Sequence, residues 1–115
     1  MKIRIKDNSV RFRLAQAEVT ELVNEGQTWS KCQFVNGELT YGLIATETDQ
    51  ITSTFEENKV TVEVPKSLLT EWDIDERVGF DNTTNGLYIL IEKDWQCLKP
   101  RAHEDETNLY VNPQA

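Results

Sequence analysis

The chain has little of what most catalytic and metal sites are made from: one histidine and two cysteines among 115 residues. Two cysteines, Cys32 and Cys97, cannot form a disulfide framework or a paired-cysteine zinc knuckle. Both fall in β-like sequence and read as reduced, half-buried thiols. Glycine numbers only five, and no phosphate-cradling loop or dinucleotide fingerprint occurs, so no cofactor is expected. Long apolar runs are missing too. The longest, Leu87-Tyr88-Ile89-Leu90-Ile91, is far short of the roughly 20 residues a membrane helix needs. The start, Met1-Lys2-Ile3-Arg4-Ile5-Lys6, alternates charged and apolar residues and carries no signal-peptide pattern. These absences predict a cytoplasmic protein without a membrane or metal partner, and offer no obvious catalytic machinery.

What is present is acidic charge. The formal net charge is −8, which favours solubility and argues against nucleic acid as a partner. The length suits one domain with its own core. The expected organisation is a single β-rich domain over residues 1–98, with residues 99–115 as a C-terminal tail packed on the body.

Turn signals divide the body into hairpins. In a two-residue hairpin the paired positions have a constant sum, and each face collects alternate residues. With Asp7-Asn8 as a turn, Ile5 faces Val10, Ile3 faces Phe12 and Met1 faces Leu14. With Asn36-Gly37 as a turn, Phe34 faces Leu39, Cys32 faces Tyr41 and Ser30 faces Leu43, while Trp29 meets Ile44 on the other face. With Glu57-Asn58, Phe55 faces Val60, Ser53 faces Val62 and Ile51 faces Val64. A fourth pair of runs, Arg77–Phe80 and Leu87–Lys93, is separated by a stretch that reads as a long loop, Asp81 to Gly86.

Two short helices interrupt the strands. Ala15, Val19, Leu22 and Val23 have helical spacing, with Gly26 placed as terminator. Pro65 suits a first helical turn, followed by the stripe Leu68, Leu69 and Trp72. The fold class expected is α+β and β-rich: an antiparallel twisted sheet or barrel of about eight strands, in four hairpins, with two short helices. No sequence repeat is evident.

The first hairpin places Lys2, Arg4, Lys6, Arg11 and Arg13 on one face, five of the chain's twelve basic residues. Arg4 opposite Arg11, and Lys2 opposite Arg13, would weaken the pair unless anions offset them. Glu63, Glu92 and Asp94 could lie alongside, and the tail offers Glu104, Asp105 and Glu106. An external anionic ligand, such as a phosphate ester or an acidic peptide, would serve equally. Arginine forks suit it because they bind oxyanions in a bidentate way.

The tail segment Arg101, His103, Glu104, Asp105 and Glu106 is followed by Leu109-Tyr110-Val111, an apolar triplet expected to anchor the tail. A small hydrolase or transferase would use His103 with Glu104 or Asp105. No catalytic residue can be named, and the balance of the sequence favours a non-catalytic protein.

The opening Met1-Lys2-Ile3-Arg4-Ile5-Lys6 with Ser9-Val10-Arg11-Phe12-Arg13-Leu14, the segment Val64-Pro65-Lys66-Ser67-Leu68, and the close Ile91-Glu92-Lys93-Asp94-Trp95-Gln96-Cys97-Leu98-Lys99-Pro100-Arg101, with Glu104-Asp105-Glu106 and Asn112-Pro113, resemble a family of small uncharacterised bacterial proteins. The resemblance implies a bacterial cytosolic protein and carries no activity with it. More locally, Val60 to Leu69, Ile74 to Phe80 and Gly86 to Ile91 look like the swapped-hairpin fold of transition-state regulators and some antitoxins. That fold needs far fewer residues, and Thr52, Thr54, Thr61 and Glu63 stand on the polar face where its basic strand would be. The reading that follows is a binding or scaffold module, monomeric or homodimeric, with a cationic first hairpin. An antitoxin-like or regulator-like protein, and a small enzyme using the acidic tail, are the alternatives.

Overall fold

The structure is a computed structural model, described here for residues 1–95. The first hairpin is β1 (Lys2–Lys6) with β2 (Ser9–Leu14), followed by α1 (Gln16–Glu25). Two hairpins come next, β3 (Gln27–Phe34) with β4 (Gly37–Thr46), and β5 (Thr52–Glu56) with β6 (Lys59–Pro65). The single-turn α2 (Lys66–Leu69) leads to β7 (Gly79–Thr84) and β8 (Leu87–Lys93). The α+β class, the four hairpins and the two short helices are those the sequence predicts.

The hairpins assemble as two four-stranded sheets, β1-β2-β8-β7 and β3-β4-β6-β5, and no barrel closes among the described residues. In each sheet two antiparallel hairpins are joined by a parallel pairing of their second strands, β2 with β8 and β4 with β6. Turn chemistry governs only neighbours in sequence, so it gives no sign of these parallel joins.

The first and third hairpins keep the expected registers, from Ile3↔Phe12 and Arg4↔Arg11 to Phe55↔Val60 and Thr54↔Thr61. The outermost expected pairs, Met1 with Leu14 and Ile51 with Val64, fall just outside the ladders. The second hairpin is corrected. It turns at Val35-Asn36, so Phe34 faces Gly37, Cys32 faces Leu39, Ser30 faces Tyr41 and Trp29 faces Gly42. A slip of two residues leaves every side chain on its face, so local matching cannot tell the two registers apart. The β4–β6 pairing, with Leu43 beside Val62, supplies the long-range constraint that local matching lacks. The fourth hairpin is also corrected. Asp81 to Thr84 are strand, and the turn is Asn85-Gly86, with φ of 51° and 84°. Both values suit a type I′ turn, which needs positive φ at both central positions.

The two halves of the chain repeat each other. Hairpin, helix, hairpin occurs over β1 to β4 and again over β5 to β8. Lys2↔Arg13 and Thr52↔Glu63 differ by 50 at both partners, as do Phe34↔Gly37 and Thr84↔Leu87. Each half gives one hairpin to each sheet, so the halves are interlocked. Matched positions keep burial rather than identity: Phe12 and Val62, Leu14 and Val64, Val19 and Leu69, Leu22 and Trp72 are all buried. This is why the sequence shows no repeat.

The core lies between the sheets, with Val10, Phe12, Ile89 and Ile91 from one meeting Tyr41, Leu43, Val62 and Val64 from the other. Tyr41 Oη donates to the Met1 carbonyl at 2.9 Å, and Asn82 Nδ2 donates to the Ile51 carbonyl at 2.8 Å. α1 buries Val19 and Leu22 and ends at Gly26, whose φ of 82° is the left-handed cap the sequence predicts. The hairpin tips are largely uncovered. Phe34 and Phe55 are 55% and 65% exposed, and Cys32 is exposed rather than half-buried.

After α2 the chain is held by Arg77. Its guanidinium donates to the carbonyls of Leu68 (2.8 Å) and Thr70 (2.7 Å) and to Asp75 Oδ2 (2.7 Å). Desolvation pushes the Asp75 carboxyl up. The Arg77 hydrogen bonds and the charges of Arg77 and Lys93 outweigh it and hold the group below its ordinary value of 3.8. A depressed carboxyl adds stability above its unfolded pKa and loses it as pH falls through the folded value. Urea midpoints measured from pH 6 to pH 2 should therefore fall below about pH 4. In Asp75→Asn the fall should be shallower, and an unchanged profile would contradict the assignment.

Candidate anion-binding site

The outer face of the first sheet carries the five cations where the sequence places them. The β1–β2 register sets Lys2 opposite Arg13, Arg4 opposite Arg11 and Lys6 opposite Ser9. The parallel β2–β8 join then brings Tyr88 beside Ser9, Leu90 beside Arg11 and Glu92 beside Arg13.

Three of the five cations meet anions within the body. Arg13 Nε donates to Glu92 Oε1 at 2.7 Å. Arg11 Nε lies 2.8 Å from the same oxygen, close enough for an ion pair but without the alignment a hydrogen bond needs. One carboxylate therefore serves two guanidinium groups, and the cluster keeps a positive charge. Lys2 Nζ pairs with Asp94 Oδ2 at 2.8 Å. Glu63 plays no part, since it lies in the other sheet and accepts from Thr52 Oγ1 at 3.3 Å.

Arg4 and Lys6 have no ion pair among the described residues. They border an open depression of about 200 Å³, shared with Ser9, Arg11, Tyr88 and Leu90. The depression has a cationic rim on β1 and β2 and a largely apolar floor from β8. Tyr88 Oη donates to Asp81 Oδ2 on β7 at 2.9 Å. That hydrogen bond, with desolvation and the Asp81 charge behind it, raises the phenol above its ordinary 10.0, so Tyr88 stays neutral. Such a site can receive an oxyanion and lay an apolar group against Leu90. Sequence reasoning misses Tyr88 and Leu90, because only the parallel join brings β8 to the first hairpin.

The second half offers a control. At the positions 50 residues on from Lys2, Arg4, Lys6, Arg11 and Arg13 stand Thr52, Thr54, Glu56, Thr61 and Glu63. The equivalent hairpin holds the same registers without a cationic face, so the fold does not require one.

Arg101, His103, Glu104, Asp105, Glu106 and Cys97 lie outside the described residues, as do the enzyme alternative built on His103 and the expected packing of residues 99–115. Among the described residues no helix is long and apolar enough to cross a membrane. No curated protein and no solved structure matches the chain. One family model does, over residues 1–114, a family of unknown function, DUF7009. The match runs from the first strand of the cationic hairpin almost to the last residue, and the chain belongs to that family.

Proposed function

We propose that the chain is a non-catalytic binding module whose first hairpin receives an anionic ligand through Arg4, Lys6 and Arg11. The observation that carries this reading is the contrast between the halves. Charges that only stabilised a hairpin would have counterparts on its structural equivalent, and they have none. Like charges at Arg4 and Arg11 cost stability where they face each other, and a bound oxyanion offsets that cost. Three donors around one depression suit the oxygens of a phosphate or carboxylate.

The test is a titration of the 15N-labelled protein with inorganic phosphate, pyrophosphate and a hexaglutamate peptide at low salt. Amide shifts should concentrate in β1, β2 and β8. Arg4→Ala/Lys6→Ala should weaken binding at least about tenfold, as expected for losing two charge-assisted contacts. The same variant should keep its stability within about 0.5 kcal/mol, since both side chains are exposed and one like-charge pair is relieved. Shifts spread evenly over the surface, or affinity unchanged in the double variant, would defeat the reading.

A further inference from the structure

We infer that the occupant of this face is the chain's own acidic triplet, Glu104-Asp105-Glu106, which competes with any external anion. The inference rests on the anion-binding reading of the first hairpin and names the regulation of that site. The outward positions of β8 already run in this sense. Glu92 answers Arg11 and Arg13, and two residues on, Asp94 answers Lys2. The chain therefore leaves β8 at the Lys2 end of the cationic face, with Asp94 seated on it. Arg4 and Lys6, which have no ion pair among the described residues, lie further along the same face.

Reach permits the contact. Lys2 to Lys6 spans about 13 Å of strand. Glu104 is nine steps along the chain from Trp95, and an extended chain of nine steps covers about 30 Å. Charge favours it as well. Three consecutive carboxylates would meet Arg4, Lys6 and the incompletely answered Arg11. Joined to the same chain, even weak ion pairs act at a high effective concentration. The positive face would then be largely closed in a protein whose net charge is −8.

The experiment compares the full chain with the full-length variant Glu104→Gln/Asp105→Asn/Glu106→Gln, using pyrophosphate as the external probe. The charge-neutral tail should raise pyrophosphate affinity about tenfold at low salt, as expected for the loss of two or three exposed ion pairs. The difference should shrink at 0.5 M salt, where screening reaches only about 4 Å. Without pyrophosphate, the variant's amide spectrum should differ from the parent's at Arg4, Lys6 and Arg11. Equal affinities with unchanged β1 and β2 amides would overturn the inference while leaving the anion site intact. If pyrophosphate binds neither protein but the β1 and β2 amides still differ, the tail contact stands and the external-ligand reading falls.

Discussion

Replacing Trp72 by alanine is expected to lower the free energy of unfolding by about 3–5 kcal/mol, the usual cost of emptying a buried tryptophan site. Trp72 has no solvent exposure and stands where Leu22 stands in the first half. Its ring lies 4.8 Å from that of Phe80, tilted by 52°, and so ties the segment after α2 to β7. Nε1 donates to the Arg77 carbonyl at 2.9 Å, and the Arg77 side chain in turn holds the Leu68 and Thr70 carbonyls. The substitution opens a cavity and strands a carbonyl at once. Trp72→Phe keeps most of the volume and loses the hydrogen bond, so it should cost about 1–3 kcal/mol. Urea denaturation followed by circular dichroism measures both. A loss below about 1 kcal/mol in Trp72→Ala would mean that the linker is not part of the cooperative core.

The second large effect is expected at Gly42. It lies mid-strand in β4, buried between β3 and β6, with the Trp29 indole against it. A Cβ there would stand 2.3 Å from Trp29 Cε3 and 2.5 Å from the Thr28 carbonyl oxygen. A strand paired on both edges cannot retreat from such contacts. Gly42→Ala should therefore cost about 1–3 kcal/mol, in the range of overpacked sites. Part of that comes from displacing Trp29, whose ring lies 4.4 Å from Lys59 Nζ and whose Nε1 donates to Gln27 Oε1 at 2.9 Å. In a Trp29→Ala background the same substitution should cost less, leaving only the backbone contact. A double-mutant cycle with no coupling between the two positions would show that Trp29 is not what Gly42 makes room for.

The matched position in the other sheet pairs Gly79 with Glu92, with the glycine on the opposite strand. One half uses the space for Trp29. The other uses the Glu92 position to hold Arg11 and Arg13. The same pair site thus serves packing in one half and charge in the other.

Much of the local structure is legible in the sequence. The alternation of Ile3, Ile5, Val10 and Phe12 around Asp7-Asn8 fixes both register and face, because a one-residue slip would turn Ile3, Val10 and Phe12 away from the core. The same logic holds at Glu57-Asn58, and the spacing of Val19 and Leu22 ahead of Gly26 marks α1. The cationic face is legible for this reason: placing Lys2, Arg4, Lys6, Arg11 and Arg13 together needs only a turn and a period of two. Where local logic admits two answers it can fail. Asn36-Gly37 gives one register and Val35-Asn36 another with identical faces, and Asn85-Gly86 is hidden within a polar stretch that reads as loop.

The sequence by itself thus determined the class, the hairpins, the first helix and the side of β1 and β2 on which the charge lies. All of these follow from interactions a few residues apart. Only the tertiary structure decided which hairpins share a sheet, that the halves repeat and interlock, and which cations find a carboxylate. Those outcomes depend on parallel pairings between strands as far apart as Ser9 and Tyr88, for which the chain carries no local signal. The division of the five cations into answered and unanswered follows from that pairing, since it sets Glu92 beside Arg13 and leaves Arg4 and Lys6 beyond its reach.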